Sequence, residues 1–224
     1  MNDNVVNKKS FLSQVTEIVK TNIRNIIILL SLCFVLFLSF QIYSFYISNK
    51  IQKNSISFFA AQNTDDTNVI TDTITKLSND NTFYGVLAKL ELIDLTLKQN
   101  NIEDSISMYL EVINQNNLES VYKSAIASKA SYQLIDINFE NLSLNYLNII
   151  NDFISYIDDE TDSYKGIKLE LKYLIKILEA EKNSIEFSSF NEVNDIYENI
   201  MSSDVVSSTI KERVNKIHEF YSNK

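Results

Sequence analysis

Two patterns of apolar and polar positions divide the chain. From Asn25 to Asn49 the sequence NIIILLSLCFVLFLSFQIYSFYISN carries no charge and is interrupted only by isolated polar residues such as Ser31, Ser39, Gln41 and Ser44. A helix rises about 1.5 Å per residue, so 25 residues suffice to cross a hydrocarbon core of about 30 Å with some tilt. An amphipathic soluble helix of that length would show a polar face, and this stretch has none. It predicts a single transmembrane anchor over residues 25–49. Beyond residue 80 the apolar positions instead recur every three or four residues, the signature of amphipathic helices.

The first such segment, 82–99, sets Phe83, Leu87, Leu90 and Leu97 on one stripe, widened by Val86, Leu92, Ile93 and Leu95, and Asn100-Asn101 breaks it. Ile102, Ile106, Tyr109 and Ile113 then mark a helix over 102–115, so the two read as an antiparallel helical hairpin. Further helices are expected at 118–136, with the small residues Ala125, Ala127 and Ala130 where a neighbour packs closely, and at 142–157. The pattern continues at 163–182, at 189–201 on Phe190, Val193, Tyr197 and Ile200, and at 205–221 on Val206, Ile210, Val214, Ile217 and Tyr221. Helix starts near 82, 118, 163 and 205 are 36, 45 and 42 residues apart, close to the periods of helical-hairpin solenoids. Residues 50–63 read as an outward continuation of the membrane helix and 66–79 as a short helix. The organisation is thus an arm (1–24), an anchor (25–49), a juxtamembrane stretch (50–80) and a helical repeat domain (81–224).

Composition supports an all-α chain. There is no Pro and only two Gly, Gly85 and Gly166, whereas hairpins and sandwiches need turn residues about every ten positions. Asn tolerates the left-handed backbone conformation and is expected to replace Gly at helix ends.

Charge sets the expected orientation. Lys8, Lys9, Lys20 and Arg24 precede the apolar run, while Lys50 and Lys53 follow it closely, which favours a cytoplasmic N-terminus and an exported C-terminal domain. A cleaved signal peptide would have a shorter apolar run, and the nearest small-x-small site, Ser55-Ile56-Ser57, lies well past this one. Residues 11–20 place Phe11, Val15, Ile18 and Val19 on one face, fitting either an interfacial helix or a helical lead-in to the span. Residues 50–224 hold 16 Lys+Arg against 27 Asp+Glu, a formal charge of about −11 that disfavours nucleic acid as a partner. Cys33, the only cysteine, lies in the span, so no intramolecular disulfide forms.

Candidate chemistry is sparse. His218 is the only histidine and has no second His or exported Cys with which to bind a metal. The run Asp158-Asp159-Glu160-Thr161-Asp162 lacks EF-hand spacing and reads as a solvated loop. Asp65-Asp66 and Glu103-Asp104 fall at helix starts, where carboxylates cap free N–H groups. No phosphate loop, nucleophile elbow or His-Glu-x-x-His is present, and neither catalysis, a metal nor a cofactor is expected. The tyrosines, spread over successive helices, read mostly as packing residues with the hydroxyl at the surface. Tyr84, Tyr122 and Tyr164 are the candidate partner-binding anchors.

The 82–115 unit resembles a tetratricopeptide repeat. Asn100-Asn101 stands at the motif's turn, Tyr109 on its Tyr/Phe, Leu92-Ile93 on its Leu-Gly/Ala pair and Ser105 at its small residue. The whole layout includes the Phe59-Ala60 helix and a last helix bearing Ile210-Lys-Glu-Arg213-Val214. It is similar to bacterial tetratricopeptide-repeat-like single-span membrane proteins related to the ancillary subunit of the Sec translocon. The resemblance implies an inner-membrane, non-enzymatic interaction module with a periplasmic domain. Its implied partners are Sec translocon subunits, periplasmic chaperones or exported chains. The alternative is a structural organiser of envelope assembly or cell division, which septal rather than uniform localisation would distinguish.

Overall fold

A chain rich in helix-compatible apolar spacing and free of proline folds into helices alone among the described residues. These are 11–116, 118–158, 162–185 and 191–223 of a computed structural model. In order the helices are α1 (Phe11–Gln62), α2 (Thr67–Ser78), α3 (Phe83–Lys98), α4 (Ile102–Ile113) and α5 (Ser120–Glu140). Then follow α6 (Leu147–Ser155), α7 (Asp162–Asn183), α8 (Asn191–Ser202) and α9 (Ser208–Ser222). The chain divides into two units, one ending at Gly85 and one beginning at Val86. Phe190 and residues 159–161 of the acidic run lie outside the described residues, as do Lys8 and Lys9.

In the first unit α1 is one helix of 52 residues, about 78 Å long at the standard rise. Residues 11–20 therefore continue directly into the apolar run. The helix is long and apolar enough to cross a membrane, and its large apolar side chains from Ile27 to Tyr46 are exposed, so no protein core covers them. Past the run α1 continues for about 20 Å and packs on α2, burying Phe58, Ala61, Ile74 and Leu77. Asp66 caps α2, its carboxylate accepting the N–H groups of Asn68 and Val69. The loop after α2 is tied back to α1: Lys50 pairs with Asp80 at 2.5 Å, and Asn54 donates to Asp80 Oδ2 (2.7 Å) and Thr82 Oγ1 (3.0 Å). The hydrogen bond from Lys50 holds the Asp80 carboxyl below the usual carboxylate range.

In the second unit α5 and α7 are central. α5 packs on α4, α6 and α7, and α7 packs also on α6, α8 and α9. Helix α7 serves two cores from two faces. Leu171 and Ile175 join the one built around Ile93, Tyr109, Ile113, Leu134 and Phe153. Tyr173 and Ile177 join the one formed with Val193, Ile200, Val206 and Val214. Ala127 and Ala130 are buried on α5, where their small size permits close approach, whereas Ala125 is exposed. Ser128 and Ser131 are buried beside them, and each hydroxyl donates to the carbonyl four residues earlier, Ser124 and Ala127.

Helices α3 and α7 end alike. Asn100 (φ 61°) and Ser184 (φ 52°) take the left-handed conformation, and the next N–H reaches back to the Thr96 and Ala180 carbonyls respectively. The expected asparagine does this work at the first site and a serine at the second. Two other expectations are corrected. Phe83 of the expected stripe is 48% exposed, while Val86 and Ile93, from its widened part, are buried. Helix α5 runs to Glu140 and α6 starts only at Leu147. The delay has a local cause: Asn141 Oδ1 accepts from the Ser143 N–H and hydroxyl, and buried Asn138 accepts the Tyr146 N–H, which gives that backbone non-helical partners.

Candidate functional site

The charged spacing of α3 and α5 builds a surface groove in the second unit. Glu91 and Asp94 lie three residues apart on α3, and Asp136 and Glu140 four apart on α5, so each pair shares a helical face. The fold brings the pairs together along a groove of about 480 Å³ that also contains Lys98, Leu97, Ile102 and Ile137. Its lining is thus predominantly acidic, with apolar side chains among the carboxylates. Burial, reinforced by neighbouring Glu140, raises the Asp136 carboxyl above the usual range.

A polar relay fixes one wall. Lys129 Nζ contacts Asp94 Oδ2 at 2.7 Å and Gln133 Nε2 donates to Asp94 Oδ1 at 3.1 Å, while Gln133 Oε1 accepts the hydroxyl of buried Tyr109. Three helices, α3, α5 and α4, are joined in this way. Lys89, itself buried, adds an ion pair to Glu111 between α3 and α4.

A second relay joins α5, α7 and α9. Arg213 donates through Nε to Glu170 Oε1 (2.8 Å) and through a terminal nitrogen to Oε2 (2.5 Å), and the Tyr132 hydroxyl donates to Oε2 at 2.6 Å. A third lies further along the chain, where His218 stacks on Tyr197 with centroids 3.8 Å apart. The Tyr173 hydroxyl and His218 Nδ1 are 3.1 Å apart, and Tyr197 donates to Asn215 at 2.6 Å. Tyr109, Tyr132, Tyr173 and Tyr197 therefore direct their hydroxyls at side chains of other helices, contrary to the surface position expected for most tyrosines. Burial pushes the phenols of Tyr109, Tyr132 and Tyr173 up, so they remain hydrogen-bond donors.

Burial also lowers His218 below the ordinary histidine value of 6.5, so the fold favours the neutral imidazole. The unfolded chain then takes up the proton first. The stabilisation is complete above about pH 6.5 and is lost as the pH falls through the folded-state value, by at most about 1.4 kcal/mol per pH unit. Hydrogen-exchange protection of α9 is expected to fall between pH 7 and 5 in the wild-type chain, and His218→Gln is expected to flatten that dependence. An unchanged profile in the variant would assign the effect to other groups.

The three candidate tyrosines occupy different settings. Tyr84 belongs to an aromatic cluster of the first unit, its ring centroid 6.0 Å from Phe58, 6.1 Å from Phe59 and 5.8 Å from Phe83. Tyr122 is 43% exposed near the start of α5, and Tyr164 is half-buried against the larger core of the second unit. The groove carboxylates are not among the residues the sequence singles out. Their i, i+3 and i, i+4 spacings are visible in the sequence, but the pairing of α3 with α5 is not. Among the described residues no group of three or more His, Cys, Asp or Glu side chains is arranged to hold a metal ion. No protein-family model matches the sequence, and no curated protein or solved structure shows significant similarity to it.

Proposed function

We propose that this chain is a membrane-anchored protein–protein interaction module, a translocon-associated, chaperone-like adaptor for exported proteins. The carrying observation is the acidic, partly apolar groove between α3 and α5, in a chain whose N-terminal helix exposes a long apolar surface. A groove of this kind suits a cationic or amphipathic segment of another polypeptide. The order of packing favours a tetratricopeptide-like helical-hairpin solenoid: α5/α6 and α7/α8 pair as hairpins, and α5, α7 and α9 stack in sequence. The lysines and arginine before the apolar run favour an exported C-terminal domain, which for the proposed adaptor means a single-pass protein of the bacterial inner membrane with that domain in the periplasm. Tethering there raises the effective concentration of the groove for chains emerging from a translocation channel. The adaptor role is non-catalytic, and its partners are translocon subunits, periplasmic chaperones or exported chains.

Affinity capture of the full-length, detergent-solubilised chain with quantitative mass spectrometry tests this reading. Translocon subunits or periplasmic folding factors are expected to be enriched, and Asp136→Asn with Glu140→Gln is expected to reduce that enrichment several-fold. Enrichment of neither class, or enrichment indifferent to the groove, would sink the proposal.

A further inference from the structure

We propose that α7 presents a second docking groove, of opposite charge, for an acidic polypeptide segment. It stands apart from the reading above, using another helix and another sign of charge. From Tyr164 to Leu178 the helix carries Lys165, Lys168, Lys172 and Lys176 against one acid, Glu170. Glu170 is buried and held by Arg213, and Lys176 is paired with Glu179 and Glu192. Lys165, Lys168 and Lys172, at i, i+3 and i+7, share a face and line a groove of about 360 Å³ with Leu169, opposite Asn199 and Val205. Lys168 donates to the Ile157 carbonyl at 3.1 Å, so it is anchored at the groove wall, while Lys165 and Lys172 are exposed.

The patch runs against the composition of the chain, whose formal charge is −9. Local excess of one sign on an otherwise acidic surface focuses attraction on a short anionic ligand and repels a long polyanion. The spacing selects among short anions. Seven residues of helix spread the lysines over about 10 Å, too far for one phosphate to engage them all. In an extended peptide, side chains on the same side recur about every 6.6 Å, a spacing within reach of the long side chains of exposed Lys165 and Lys172, so each carboxylate of Asp/Glu-x-Asp/Glu can meet one of them. Leu169 and Val205 offer apolar contact to a neighbouring side chain of that segment.

The test uses the full-length chain in neutral detergent and a short fluorescent peptide of repeated Glu-Ser-Glu-Leu, read by anisotropy. Saturable binding that weakens with added salt is expected. Lys165→Glu with Lys172→Glu should lower affinity by about tenfold or more, and Lys165→Gln with Lys172→Gln by a smaller factor. The glutamine pair replaces exposed side chains and keeps the measurement valid if the charge-reversed chain does not fold. Asp136→Asn with Glu140→Gln should leave this binding unchanged. No binding up to about 1 mM peptide, equal binding by both lysine variants, or preference for a single-stranded oligonucleotide or for anionic lipid vesicles over the peptide would overturn the proposal.

Discussion

Replacing Arg213 with alanine is expected to cost the second unit about 3 kcal/mol of stability. The Glu170 side chain is 2% exposed, and two nitrogens of Arg213 meet its two oxygens. Without the guanidinium, a buried carboxylate keeps only the Tyr132 hydroxyl as its described donor. Loss of one partner of a buried pair typically costs about 3–5 kcal/mol, most of it the penalty of the orphaned charge. The Arg213 side chain is 53% exposed, so water reaches the site and the value belongs at the lower end of that range. Removing both charges has a different outcome. Glu170→Leu with Arg213→Leu should recover part of that loss, because no buried charge is left unpaired, while the Tyr132 hydroxyl still loses its acceptor. Hydrogen-exchange protection across α5, α7 and α9, measured for both single variants and the double, gives the coupling directly. Equal losses in the single and double variants would mean that packing of the side-chain stems, not the pair, carries the stability.

The same relay shows where sequence reading stops. Tyr132, Glu170 and Arg213 are separated by about forty residues at each step, and nothing local says that they meet. What periodicity does reveal is the buried face of a helix with a single apolar stripe. Ile106, Tyr109 and Ile113 on α4, and Ile150, Ile154 and Ile157 at α6 and its end, are buried as their spacing predicts. On helix α3, Phe83, Val86, Leu87, Leu90, Leu92, Ile93, Leu95 and Leu97 make the surface apolar nearly all round, so periodicity marks no single face. Tertiary packing then chooses Val86 and Ile93, and Phe83 is left exposed. The boundary of α6 is hidden for a different reason: side chains of Asn138 and Asn141 capture backbone N–H groups that propensity alone assigns to a helix.

The candidate site was less legible than the fold. A tyrosine on a helix can serve as a packing residue, a hydrogen-bond donor or a surface anchor, and spacing alone does not separate these roles. The buried hydroxyl networks of Tyr109 and Tyr173 depend on Gln133 and His218, 24 and 45 residues away. The acidic groove likewise needs two helices to be set side by side before four separate carboxylates become one feature. Net charge was visible at once, but charge as a local pattern appears only on the folded unit. That is why an acidic composition foretold neither the α3–α5 groove nor the lysine face of α7.

Gly85→Ala is expected to destabilise the first unit by about 2–3 kcal/mol, although it replaces glycine within a helix. In an open helix the change would gain about 1 kcal/mol from propensity. At this position a Cβ would stand 1.9 Å from the Asp80 carbonyl oxygen, 2.8 Å from its carbon and 3.1 Å from the Leu77 oxygen. All three are backbone atoms, so no rotamer change relieves the overlap. The loop itself must move, and it is fastened by Lys50 and Asn54 to Asp80, by Asn54 to Thr82, and by the Gly85 N–H to Thr82 Oγ1. Overlap and loss of these bonds outweigh the propensity gain. Gly166→Ala supplies the contrast. Its Cβ would meet Ile210 Cδ1 at 3.3 Å and Val206 Cα at 3.4 Å, contacts that a small side-chain adjustment largely accommodates. That variant should stay within about 1 kcal/mol of the wild type, since the gain in helix propensity opposes the tight packing. Hydrogen exchange on the full-length chain in detergent distinguishes the two. Protection should drop from Ile74 to Val86 in Gly85→Ala and remain near wild type across α7 and α9 in Gly166→Ala. Full protection around Asp80 in the first variant would show that the loop accommodates a methyl group at residue 85 without releasing its ties to α1.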